Sequence, residues 1–195
     1  MILCYVDDFL IILHDAMKTM KGIQHKFKLK DYKMAEPENY LGTGLSKMVT
    51  ANRRECWSMS PEKYCKAAVL NVEHKLNKEG KRLPTKCKTP LKSGYHPGLD
   101  ISQELKADGV YYDMELIGIL RWAVEIGRVD ILYEPSIMST HLALPRVGNL
   151  EQLFHVFGYL KEKLKRKITF DPDHPFIDEQ RFKKHDWYDF YCDAK

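Results

Sequence analysis

A chain of 195 residues with 44% hydrophobic content carries enough apolar side chains for one sizeable core, and 30% charged residues argue against a membrane protein. A formal net charge of only +4 means that any attraction to nucleic acid has to come from local patches rather than from the molecule as a whole. Five cysteines at positions 4, 56, 65, 87 and 192 form neither a zinc spacing nor a disulfide framework, and no signal peptide opens the chain, so an intracellular setting in cytoplasm or nucleus is expected.

The first element in chain order is also the most informative. Two apolar runs, residues 2–6 and 9–13, flank Asp7 and Asp8, and their length and content read as two strands of a tight hairpin with the acids at the reversal. Hairpin turns favour Asn-Gly or Asp-Gly, whereas Asp-Asp offers no glycine and sets two negative charges side by side. Asp is a common turn residue in its own right. A pair of carboxylates at the tip of a stiff apolar hairpin is nevertheless what a hard cation such as Mg2+ needs, because it takes oxygen ligands and relieves the repulsion. That placement points to metal-assisted phosphoryl transfer.

After the hairpin, residues 15–27 predict a helix with Met17, Met20, Ile23 and Phe27 at helical spacing, closed by Lys26, Lys28, Lys30 and Lys33. Residues 40–49 and 55–59 predict two short strands around a polar turn. Ser60, Pro61 and Glu62 read as a helix start with Ser60 as the cap, and Cys65, Ala68, Val69, Val72 and Leu76 as that helix's buried face before Gly80 ends it. Residues 81–109 are rich in Pro, Gly, Lys and Ser and predict a linker or extended loop. Beyond it, Asp113 is expected to cap a helix facing the core with Leu116, Ile119, Leu120, Ala123 and Val124, with Gly118 admitting a close neighbour. Asp130 is expected to start a second helix running to Met138. Asn149 and Gln152 suggest a capping box for a third, with Leu150, Leu153, Phe154, Phe157, Leu160 and Leu164 as its stripe and Lys161, Lys163, Lys165, Arg166 and Lys167 at its end. Such a cluster suits a helix C-terminus, a solvated face or a phosphate-contacting patch.

The string Cys4-Tyr5-Val6-Asp7-Asp8-Phe9-Leu10-Ile11-Ile12 resembles the aromatic-x-Asp-Asp hairpin in the palm of reverse transcriptases, in the Tyr-Val-Asp-Asp form common in copia-type (Pseudoviridae-like) retrotransposon polymerases. Further similarities follow in the family's order: Asn39-Tyr40-Leu41-Gly42; Trp57-Ser58-Met59-Ser60-Pro61-Glu62-Lys63-Tyr64; Thr89-Pro90-Leu91; the stretch from Tyr112 through Gly118 to Trp122; Gly127-Arg128-Val129-Asp130-Ile131, with Val129 where the family has Pro; Pro145; and Tyr159-Leu160-Lys161. Together they span roughly residues 1–170.

The resemblance implies an α+β fold: a partial palm hairpin, a small antiparallel sheet and a mainly helical thumb or connection region. It divides the chain into a partial palm over 1–80, a linker over 81–109, a helical region over 110–170 and a tail over 171–195. It implies RNA-directed DNA polymerisation with Mg2+ at Asp7 and Asp8, Asp7 being the stronger candidate for a direct ligand. Tyr5 and Val6 would lie beneath the primer terminus and incoming nucleotide, and Tyr40, Leu41 and Gly42 in the primer grip. The implied partners are an RNA or DNA template-primer and a dNTP, with no membrane. Family members carry fingers and a third catalytic Asp before the hairpin and an RNase H after the polymerase, so the chain is expected to be the C-terminal half of the polymerase domain. Cys192-Asp193-Ala194 is similar to the first RNase H strand, but Lys195 breaks the match and Asp193 is not nominated. A catalytically inactive retroelement remnant, at most a weak nucleic-acid-binding module, is the alternative the same residues leave open.

Overall fold

The computed structural model describes residues 2–6, 8–13, 15–28 and 36–170, with the backbone alone for Asp8. The fold is α+β: five α-helices, a two-stranded and a four-stranded antiparallel sheet among those residues. Strands β1 (Ile2–Tyr5) and β2 (Asp8–Ile11) form the first sheet, and helix α1 (Ala16–Lys26) follows. Asp15 caps α1, its carboxylate accepting from the Lys18 amide at 3.0 Å, which satisfies one of the orphan donors of the first turn. No residue of α1 is fully buried; Met20 and Ile23 are half-buried while Met17 and Phe27 face solvent.

The second sheet has the order β3 (Asn39–Tyr40), β4 (Thr43–Val49), β5 (Glu55–Ser60) and β6 (Ile168–Phe170). Two findings differ from the sequence expectation. The single strand expected over 40–49 is split, because Leu41 and Gly42 both adopt positive φ, +51° and +81°, and turn the chain between Tyr40 and Thr43. Strand β6 was not expected at all. Its residues follow a lysine-rich helix end and, among the described residues, gain their strand pairing from β5.

Helix α2 (Glu62–Lys78) buries Cys65, Ala68, Val69, Val72 and Leu76, the five positions that the apolar period selects. Its start is different from the expected one: Ser60 pairs with Gly44 as the last residue of β5, so Pro61 becomes the cap position and no side chain caps the helix. Its end follows from Gly80 at φ +70°, which lets the Lys81 amide reach the Leu76 carbonyl and the Gly80 amide reach that of Asn77, a Schellman closure.

Helices α3 (Ala107–Glu125), α4 (Tyr133–Ser139) and α5 (Val147–Glu162) complete the core. Leu116, Leu120 and Ala123 of α3 and Leu153, Val156, Phe157 and Leu160 of α5 are buried against α2, each large apolar side chain contributing about 2 kcal/mol of burial. Four local expectations are corrected here. Asp113 does not cap α3; the helix begins six residues earlier, at Ala107, and Asp113 lies inside it, fully buried. Gly118 admits no neighbour, for a Cβ there meets nothing within 4 Å. Asp130 starts no helix: it belongs to a 3-10 turn, Val129–Ile131, and its carboxylate is taken by Arg128. Finally, Asn149 does receive the Arg146 amide on its side chain at 2.7 Å, but the helix starts at Val147, and Gln152 instead accepts from the Lys92 amide at 3.3 Å.

Residues 81–106 have little regular structure yet are not loose. Leu83 and Cys87 are buried in the core, and Cys87 Sγ lies 3.6 Å from His155 Nδ1 on α5. Tyr95, Asp100 and Ser102 hydrogen-bond to one another and to the first turn of α5. The four described cysteines are free thiols, and among the described residues no helix is long and apolar enough to cross a membrane.

Candidate functional site

The β1–β2 register pairs Tyr5 with Asp8, which leaves only positions 6 and 7 for the reversal. The turn therefore sits one residue earlier than the Asp-Asp pair suggests, with Asp8 opening β2 and Asp7 lying outside the described residues. Val6 takes φ +54° and is 84% exposed. A two-residue hairpin loop demands positive φ at its first position, and a β-branched side chain there costs roughly 1–2 kcal/mol. Among the described residues, none packs closely enough on Val6 to repay that cost. Strain of this kind persists where something other than stability fixes the residue. Val6→Gly is expected to stabilise the hairpin by about 1 kcal/mol; a fall in β1–β2 amide protection in that variant would refute the strain.

Tyr5, the residue before the turn, is half exposed and its ring stands 6.0 Å from that of Trp122 on α3, tilted by 52°. Such a pair contributes about 1 kcal/mol beyond its buried area and anchors an otherwise marginal two-stranded hairpin to the helical body. The second nominated group, Tyr40, Leu41 and Gly42, forms the β3–β4 turn. The next residue, Thr43, is buried, and its hydroxyl donates to the Ile126 carbonyl at the end of α3 at 3.3 Å. Trp122 and Ile126 are four residues apart, about 6 Å along the axis. The C-terminal turn of α3 thus holds both hairpins, one by an aromatic contact next to Val6 and the other by a hydrogen bond next to Gly42.

Sequence reasoning nominated neither Trp122 nor Thr43. Trp122 lies outside the buried stripe of α3, and a large aromatic off that stripe is the signal by which it could have been found.

In the basic cluster, two cations are engaged. Lys161 pairs with Glu73 at 2.6 Å, and Arg166 reaches Asp130 at 3.2 Å while lying over the Tyr159 ring. Lys163, Lys165 and Lys167 are exposed and, among the described residues, carry no ion pair; Lys163 and Lys165 border a shallow groove with Glu62 and Leu164. Of the cluster after α1, Lys26 and Lys28 are exposed, and Lys30 and Lys33 lie outside the described residues. Among the described residues, no three His, Cys, Asp or Glu side chains gather as a metal site.

Comparison with protein-family models, with curated proteins and with solved structures finds no match to this chain.

Proposed function

We propose that this chain is the C-terminal half of the polymerase domain of a copia-type reverse transcriptase, an RNA-directed DNA polymerase whose Mg2+ pair is bound through Asp7 and Asp8. The observation that carries the reading is the convergence of the two nominated hairpins on one turn of α3. A polymerase of this class needs its metal-binding tip and its primer-holding turn at a fixed separation, because phosphoryl transfer is catalysed by positioning and electrostatics. The Tyr5–Trp122 ring contact and the Thr43–Ile126 hydrogen bond support this reading, since both lie at the end of α3. The donor set fits the ion: two adjacent carboxylates are hard oxygen ligands for Mg2+, which keeps waters and takes the rest of its shell from substrate phosphates. When bound, the metal pair supplies charge neutralisation at the attacking and leaving oxygens, and a two-metal site takes a further carboxylate from another strand. Tyr5 fixes the tip against α3, and Val6, exposed and strained, presents its side chain where a primer terminus and a dNTP would lie. Tyr40, Leu41 and Gly42 shape the turn proposed to hold the primer.

The exposed lysines after α5 give the reading a second test. Labelled RNA–DNA or DNA primer-template duplex should bind weakly and without sequence preference, with affinity falling steeply as salt rises, because phosphate contacts release counterions. Neutralising Lys163, Lys165 and Lys167 to glutamine should flatten the slope of log K against log salt by roughly two to three units. Absence of binding at low ionic strength, or a slope unchanged by the triple substitution, would make these lysines a solvated helix end.

A further inference from the structure

Helix α5 uses two faces. Leu153, Val156, Phe157 and Leu160 enter the core, while Gln152, His155, Gly158 and Glu162 recur at helical spacing on another stripe. Residues 84–92 lie along that second stripe. The Lys92 amide donates to Gln152 Oε1 at 3.3 Å, and the Cys87 amide to Glu162 Oε1 at 3.0 Å. Gly158 seats the Pro84 carbonyl oxygen and the Cys87 sulfur, which a Cβ there would meet at 2.5 and 2.9 Å. Between these holds stands His155, with Nδ1 3.6 Å from Cys87 Sγ and Nε2 3.0 Å from the Thr89 carbonyl oxygen. The proposed polymerase chemistry makes no use of any of them.

The two contacts of His155 fix its tautomer. A carbonyl oxygen can only accept, so Nε2 carries the proton and donates to Thr89, and in the neutral ring Nδ1 is left to accept from the Cys87 thiol. Burial, then Glu162, push that thiol up, so it stays an S–H donor. Protonation of the ring turns Nδ1 into a second donor facing a thiol, whose sulfur is a weak acceptor. The segment also brings the Lys92 charge to the ring, while its Lys86 and Lys88 are exposed. On α5, Glu162 opposes Lys92, and Glu151 is exposed; Glu73 of α2 is engaged with Lys161.

We propose that His155 is a proton-sensitive clasp: its neutral ring binds residues 84–92 to α5 through Cys87 and Thr89, and its protonated ring loses Cys87 as a partner, so that the segment releases from the helix. The segment is poised to leave, because Lys86 holds a left-handed φ of +59° and, in addition to the seat at Gly158, its polar ties run through Gln152, His155 and Glu162. Burial first, with Lys92, holds the His155 ring below its ordinary 6.5, against the pull of the Thr89 carbonyl and Glu162. Because the value is lowered in the closed form, the clasp is at full strength above pH about 6.5, weakens as the pH falls below it, and levels off beneath the lowered value.

Amide exchange of the full chain, corrected for intrinsic rates, tests the clasp at pH about 7.5 and about 5.5. Protection of the Cys87 and Lys92 amides, taken relative to the core of α2, should fall several-fold at the lower pH, with a ceiling of about 10-fold set by an open-state ring titrating at its ordinary 6.5. In His155→Gln, which keeps a donor for Thr89 and cannot titrate, the ratio should be the same at both values; this separates the ring from Asp113, whose carboxyl, pushed up to about 6, titrates in the same window. Ring-nitrogen NMR of the unsubstituted chain needs no variant: His155 should show the proton on Nε2 and a midpoint below 6.5. An unchanged ratio in the unsubstituted chain, the same pH dependence in His155→Gln, the Nδ1 tautomer, or a midpoint at or above the ordinary value would each overturn the proposal.

Discussion

Replacing Asp130 by asparagine should cost the chain about 3–5 kcal/mol, the loss typical of breaking a buried ion pair from one side. Arg128 is completely buried, and its guanidinium meets the Asp130 carboxylate through two hydrogen bonds, Nε to Oδ1 at 2.8 Å and Nη2 to Oδ2 at 3.0 Å. Its remaining Nη1 lies 4.0 Å from Cys65 Sγ. Without the carboxylate, a full positive charge stays in the core with a thiol as its other partner. The same carboxylate accepts from the Tyr159 hydroxyl at 3.1 Å and from Arg166, so one residue ties the turn after α3 to α5. Burial alone would raise the Asp130 carboxyl, but Arg128, then Tyr159 and Arg166, hold it below its ordinary 3.8. Because that value is lowered in the folded chain, the contribution is present above pH about 3.8 and is lost as the pH falls through the depressed value. Urea unfolding with an unchanged m-value measures the effect. Arg166→Gln is the control: its side chain is half exposed, so its removal should cost under about 1 kcal/mol. Equal effects of the two substitutions would mean that Arg128 finds water when Asp130 is gone.

The second large effect comes from two helical glycines that should answer the same substitution with opposite signs. A Cβ at position 158 would sit 2.5 Å from the Pro84 carbonyl oxygen and 2.9 Å from Cys87 Sγ, so backbone must move. Gly158→Ala should therefore destabilise by about 2 kcal/mol, overpacking outweighing the gain of about 1 kcal/mol in helix propensity. Gly118→Ala in α3 meets open space and should stabilise by about 1 kcal/mol. Thermal melts of the two variants check the pair. A stabilising Gly158→Ala would show that residues 84–87 do not rest on α5 as closely as 2.5 Å implies.

These glycines also mark the limit of what the sequence discloses. The buried faces of α2, α3 and α5 are legible because the core is helical and amphipathic, and the 3.6-residue period selects Cys65 through Leu76 and Leu153 through Leu160 without help from tertiary contacts. The β1–β2 hairpin is legible from the length and apolar content of its two runs rather than from a period. Long-range partners are not. Nothing local says that Gly158 accommodates the chain at Pro84 while Gly118 accommodates nothing, or that Asp113 is interior rather than a cap. Strand β6 is three described residues long and, among the described residues, pairs with a strand more than a hundred residues earlier. Of the candidate site, the first turn falls one residue before the acid pair that marked it and the second falls inside an expected strand, while Trp122 and Thr43, which tie those turns to α3, act through contacts with no sequence spacing.

Metal binding at the first turn is the central claim, and Mn2+ titration followed by amide NMR tests it most directly, since paramagnetic broadening reports even a weak site from two carboxylates. Added Mn2+ should broaden the amides of Tyr5, Val6 and Phe9 selectively and before those of α2 or α5, with Mg2+ reversing the effect and Asp7→Asn with Asp8→Asn abolishing it. Uniform broadening across the surface, or broadening that survives the double substitution, would contradict a divalent-cation site at Asp7 and Asp8.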